Sequence, residues 1–347
     1  MQLLKKKFGH LDDGTQVHLF TLSNGSMEVS ATNFGGIITS IKVPNRDGII
    51  SETVLGFNNL DDYKKDHPYF GALVGPVANR ISNATFSLNG QQISVDANEG
   101  LNQLHGGTIG FDKVAWNYKT IKTDNYIELI LTFVRPDGLM GFPGNLDCLF
   151  TIRLNKANKL DLNYLVKTDK ATPVNLTHHE YFNLADGGLS SSLDHSIQIN
   201  AGKYTPTKDN NCVTGEIIDV KGTAFDFRNA KTIRQGIKQL YGYVKEEKGF
   251  DHNFILDGAS TLAATVKELI SGRQLDIYTN QPCLQFYTGS YLDGKLKRDN
   301  VTFEAFRGFC LETQSYPDAV NQSHFPSIIL QPNEIYDYFV SYVFSNF

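Results

Sequence analysis

A large all-β, antiparallel sandwich is the fold class this sequence predicts, on three observations. Apolar and polar residues alternate in short runs, turn dipeptides recur along the chain, and stretches of helical character are few and brief. Alternation sends every second side chain to one face of a strand, as a sheet buried on one side requires. Residues 27–31 and 161–166 alternate in this way, and 127–134 form a longer apolar run suited to a strand covered more fully. Asn24-Gly25, Asp47-Gly48, Asn89-Gly90, Asp137-Gly138 and Asp293-Gly294 supply residues that tolerate positive φ and so favour tight turns. Only short segments, such as 59–65 and 232–240, look helical. Many short strands with few short helices point to a sandwich.

No Pro- or Ser-rich linker divides the chain, so residues 1–347 are expected to form a single domain. The softest segment, 185–192, reads as a surface loop, and the charge run Lys245-Glu246-Glu247-Lys248 reads as a solvated turn. A formal net charge of −5 with pI near 6.0 argues against a nucleic-acid partner, which leaves a basic footprint. Cys148, Cys212, Cys283 and Cys310 are scattered without zinc spacing and are expected to be reduced thiols. With neither an apolar signal core nor a run of membrane-spanning length, a soluble, cytoplasmic protein is expected. A monomer or weak dimer is the expected state.

Several chemistries lack their motifs. No complete phosphate-cradling Gly-x-x-x-x-Gly-Lys-Ser/Thr loop, dinucleotide fingerprint or Gly-x-Ser-x-Gly elbow is present. His178-His179-Glu180 invites a metal reading, but no second histidine follows at the zinc-helix spacing. In an extended segment His178 and Glu180 face one way and His179 the other, so the three do not converge on one ion. The expectation is a metal-independent and cofactor-independent acid–base enzyme.

Five segments carry a resemblance. They are Val74-Gly75-Pro76-Val77-Ala78-Asn79-Arg80-Ile81, Asn102-Gln103-Leu104-His105-Gly106-Gly107, residues 173–184 around His178-His179-Glu180-Tyr181-Phe182-Asn183, Gly249-Phe250-Asp251-His252-Asn253-Phe254, and the pair 284–289 with 309–318 containing Gln285 and Glu312. In type, order and separation they resemble the blocks of the aldose 1-epimerase (galactose mutarotase) family, from about residue 15 to the C-terminus. The resemblance implies the galactose mutarotase-like supersandwich, with a sugar site in a cleft across one face. It implies His179 as general acid, Glu312 as general base, and Asn79, Arg80, His105, Tyr181, Asp251 and Gln285 as sugar-binding residues. Pro76 stands where many members have arginine, and Glu180 where a small polar residue is frequent.

Those residue types suit the implied reaction. Interconverting the anomers of a free aldohexose such as galactose or glucose takes a proton from the C1 hydroxyl and gives one to the ring oxygen. A carboxylate and an imidazolium can exchange these roles, and each positioned acid or base supplies about 10²–10⁴-fold. Glutamate would need a raised pKa, for which the apolar Phe309, Cys310 and Leu311 offer a setting. Taken singly, the residues have plainer explanations: His105 as a turn residue, Asp251 as a turn cap, Arg80 in a surface ion pair, His179 as a core histidine. A second reading of the chain is a non-catalytic sugar-binding or regulatory protein of the same fold, and retention of both the acid and the base counts against it. A hexose 6-phosphate substrate would call for a basic cluster, and Arg80 is the only basic residue in the blocks.

Overall fold

The structure, a computed structural model, describes residues 1–242, 248–258 and 261–347. Of the charge run 245–248, residues 245–247 lie outside them. A nine-stranded antiparallel sheet forms the largest layer. Its order is Asn117–Lys122, Tyr126–Arg135, Leu146–Asn155, Lys159–Thr168, Tyr336–Asn346, Arg273–Thr279, Thr261–Lys267, Ser196–Ile199 and Lys231–Thr232. The sequence-predicted strands at 127–134 and 161–166 are two of its members. A five-stranded antiparallel sheet, Gln2–His10 through Ile50–Glu52 in chain order, forms the N-terminal part. A second five-stranded sheet has the order Ile218–Asp219, Ala201–Thr205, Asp251–Leu256, Cys283–Tyr287 and Cys310–Gln314. All three contribute to one apolar core, with Phe20 and Val29, Leu162 and Val340, and Phe254, Phe286 and Leu311 among its members. The fold is the mostly-β sandwich that the sequence predicts.

The last sheet shows how alternation builds a site. Leu284, Phe286 and Leu311 point into the core, so Gln285, Cys310 and Glu312 fall on the opposite face. Register then aligns the outward residues in rows: Asn253 opposite Gln285 opposite Glu312, and Asp251 opposite Tyr287 opposite Cys310. Polar side chains from distant sequence blocks meet because the strands pair in this register and no other.

Both predicted helical segments are present as short helices. Leu60–Lys64 is capped by Asn59, and Ile233–Tyr241 opens on Thr232 in a reciprocal capping box with Gln235. Asn89-Gly90 turns the hairpin between Thr85–Leu88 and Gln91–Ser94, both residues at positive φ. Asp293-Gly294 differs from its expectation: it lies at the start of the strand Asp293–Arg298, not in a turn. Gly294 has φ +76° where the pairing with Val301–Glu304 shifts register, so the glycine serves an irregularity within the hairpin. All four cysteines are buried free thiols. Among the described residues no helix is long and apolar enough to cross a membrane.

Candidate active site

His179 ends the strand Thr177–His179, which pairs antiparallel with Ala72–Val74. The two faces of this segment separate as extended backbone requires. His178 and Glu180 meet on one side, with Nδ1 and Oε1 3.0 Å apart, while His179 turns to the other. There its Nε2 lies 3.7 Å from Glu312 Oε1, both side chains almost wholly buried. Cys310 Sγ sits 3.5 Å from His179 Nδ1, so Nε2 is the nitrogen left facing the carboxylate. The His179 ring is stacked on one side by Tyr181, centroids 5.0 Å apart, and lies 5.9 Å from Tyr69 at 26°.

His105 completes the group. Its ring meets that of His179 edge-on at 5.5 Å, and His105, His179 and Glu312 each offer an atom within 4.8 Å of the others. Such a set raises the question of a metal. The backbone N–H of Asn79, however, donates to His105 Nδ1 at 3.2 Å. An imidazole accepting at Nδ1 carries its proton on Nε2, so this ring presents a donor and no lone pair for an ion. Local backbone enforces the arrangement: Asn79 and His105 are both left-handed, at φ +63° and +53°, and the His105 N–H donates to the Asn79 carbonyl. Gly106 follows at φ +93°, where a Cβ would fall 2.1 Å from the carbonyl oxygen of Gly75, so only glycine fits. The neighbouring Gly75–Pro76 bond is cis.

The remaining expected residues gather around this pair. Asp251 Oδ1 accepts a hydrogen bond from Gln285 Nε2 at 2.6 Å, fixing the amide beside Glu312. Arg80 is held by Glu99 through two parallel bonds, Nε to Oε2 at 2.7 Å and Nη2 to Oε1 at 2.6 Å. Asn79 Oδ1 accepts from the Arg80 N–H. Tyr181 is 1% exposed, so its place is a buried ring against His179 and edge-on to Tyr287. Sequence reasoning missed Tyr69, Glu99 and Cys310. Glu99 lies outside every quoted block, and nothing in His67-Pro68-Tyr69-Phe70 separates a site tyrosine from packing aromatics.

Burial dominates the electrostatics. It pushes His179 down to about 3 and His105 well below the usual imidazole range, with the charges of His179 and Arg80 adding to the latter. Glu312 is held well above the usual carboxylate range, first by burial and then by the charge of Asp251, with Arg80 opposing. Its Oε2 is buried without a protein partner. The raised pKa expected from sequence is therefore present. Its apolar neighbour Leu311 faces the core, so the effect arises from the site's own closure and Asp251.

The fold and site together define a galactose-mutarotase-like β-sandwich enzyme carrying a buried imidazole–carboxylate pair. A match to the aldose 1-epimerase family spans residues 18–343. The galactose mutarotase of Sus scrofa is 42% identical over 99% of both chains, and the aldose 1-epimerase of Escherichia coli K12 is 35% identical over 96% of both. The crystal structure of a galactose 1-epimerase from Lactobacillus acidophilus superposes with a TM-score of 0.88 at 28% identity, covering 99% of each chain. The chain belongs to the aldose 1-epimerase family and is an isomerase of the epimerase class.

Proposed function

We propose that the protein interconverts the α and β anomers of a free aldohexose, galactose or glucose, with Glu312 as general base and His179 as general acid. The observation that carries this reading is the buried 3.7 Å approach of His179 Nε2 to Glu312 Oε1 beside the polar side chains of His105, Gln285 and Asp251. Glu312 takes the C1 hydroxyl proton while His179 gives one to the ring oxygen. The ring opens, the aldehyde turns about C1–C2, and the reverse transfers close it on either face. The pair holds one proton between its members. Burial makes the Glu312 carboxylate a stronger base and the His179 imidazolium a stronger acid, which favours both transfers. In this reading His105 Nε2–H donates to a sugar oxygen as negative charge grows on it. Asp251, Gln285, Asn79 and Arg80 bind hydroxyls, and Tyr181 holds the His179 ring from behind. Glu99 already neutralises Arg80, which suits a neutral sugar better than a phosphorylated one.

Polarimetry of freshly dissolved α-galactose and α-glucose tests the proposal, with faster approach to equilibrium in the presence of protein as the expected result. The acceleration should survive exhaustive chelation. A rate no different from the spontaneous one for both sugars would overturn the assignment.

A further inference from the structure

Behind the catalytic strand lies a second titratable pair that the chemistry above does not use. The side chains of His178 and Glu180 are 0% exposed, with His178 Nδ1 3.0 Å from Glu180 Oε1 at an angle outside hydrogen-bond geometry, and neither of these atoms nor Glu180 Oε2 has another hydrogen-bond partner. His178 Nε2 lies 3.2 Å from the carbonyl oxygen of Gly36. A carbonyl can only accept, so Nε2 carries a proton. Nδ1 and the carboxylate oxygen would then confront each other as two acceptors unless a second proton lies between them. The pair therefore holds one shared proton and has no net charge, whichever atom the proton sits on.

The pair joins three pieces of chain. Gly36, at φ +55°, belongs to the turn leading into the N-terminal sheet strand Ile38–Pro44, and His178 reaches it across the core beside Phe150. Glu180 packs against Gly71, where a Cβ would stand 3.5 Å from Oε1 and 2.0 Å from the Ile38 carbonyl oxygen. Gly71 in turn donates its N–H to the His179 carbonyl. The backbone of His179 is thus bracketed by two side chains tied to each other and to the neighbouring layer. We propose that His178 and Glu180 are positioning residues, a buried proton-sharing pair that fixes the strand so that His179 meets Glu312. This rests on the assignment of His179 and Glu312 above.

The test compares three variants by polarimetry, with melting curves for each. Glu180→Gln can donate its amide to Nδ1 and keep the link. Glu180→Met keeps the length but breaks it. His178→Leu/Glu180→Met removes both side-chain polar groups of the pair together, so neither is left buried opposite a missing partner, and only the Gly36 carbonyl loses its donor. We expect Glu180→Gln to keep kcat within about threefold, and both Met-containing variants to lose about 10-fold or more in kcat with KM little changed, as misplacement of a catalytic group does. Wild-type kcat in the folded double variant would overturn the proposal, as would a loss confined to KM. A readout free of activity is proton NMR of the sugar-free wild type. A far-downfield, exchange-protected resonance that vanishes on Glu180→Gln is expected, and its absence from the wild type overturns the shared proton even if the Met variants fail to fold. Failure of the wild type to epimerise any sugar would count against the assignment of function, whatever the NMR shows.

Discussion

The proposed assignment of Glu312 as base and His179 as acid, 3.7 Å apart and both buried, sets what single substitutions should do. Glu312→Gln keeps the shape but removes the basic oxygen, and kcat should fall by at least about 10²-fold while sugar still binds. His179→Asn should do the same, and the double variant should lose far less than the product of the two losses, because the residues act as one unit. Steady-state polarimetry of the three variants checks both statements. The sign of the pH response follows from the shifts. The pair takes up a second proton only near pH 3, where His179 titrates, and loses its single proton on the alkaline side as pH passes the raised pKa of Glu312. Asp251 contributes to that elevation, so Asp251→Asn should move the alkaline limb of kcat/KM to lower pH. An unmoved limb would mean that Asp251 exerts no charge on Glu312. Much of the candidate site was legible in the sequence, because His105, His179, Asp251, Gln285 and Glu312 sit in the blocks that carry the family resemblance, and the fold brings those blocks together. Tyr69 and Glu99 were not, since only the folded chain shows which tyrosine faces His179 and which carboxylate faces Arg80.

Elements were legible where local chemistry decides them and obscure where tertiary contacts do. The helical segment expected at 232–240 is present, and its start is fixed locally by a capping box between Thr232 and Gln235. The two bonds of the box are made: Gln235 N to Thr232 Oγ1 at 3.1 Å and Thr232 N to Gln235 Oε1 at 2.8 Å. Thr232→Ala should cost about 1 kcal/mol of stability in urea titrations, with kcat and KM unchanged because the helix lies outside the site. A change in kcat would show that the helix is coupled to the cleft. Asp293-Gly294 carries the same turn signal as Asn89-Gly90, yet only the latter turns a hairpin. Positive φ is a property of both places, and pairing partners far along the chain decide whether it makes a turn or an irregular strand. The rows Asn253–Gln285–Glu312 and Asp251–Tyr287–Cys310 belong to that second kind, because register across three separated strands leaves no trace in any one of them.

At the scale of the whole molecule, burying ionisable groups makes stability depend on pH in two opposed ways. Buried histidines with lowered pKa values resist protonation in the native state, so the unfolded chain binds more protons and stability falls as pH drops below about 6.5. His67 and His179, both lowered to about 3, act in this direction. Buried carboxyls act oppositely: Asp112, raised to about 6, keeps its proton when folded and so costs stability as pH rises from the unfolded value through about 6. The sums partly cancel, which makes a single-residue comparison more telling than the wild-type curve. His195 is suited to it, being remote from the His179–Glu312 pair in sequence and hydrogen bonding. It is buried, with Nδ1 3.0 Å from the Ser192 carbonyl oxygen and Nε2 accepting from Leu184 N–H at 2.9 Å, and burial lowers it to about 4. Nδ1 faces an acceptor and Nε2 faces a donor, so the neutral ring satisfies both and a second proton would meet an N–H. Between pH 7 and pH 5 this histidine should remove about 2 kcal/mol of folding stability, since an unfolded histidine protonates near 6.5 and this one does not. His195→Asn destabilises the protein at pH 7 but lacks that term, so its deficit relative to wild type should shrink by about 2 kcal/mol at pH 5. Parallel stability curves for the two proteins across that interval, measured by urea titration, would mean that His195 titrates alike in the folded and unfolded chains.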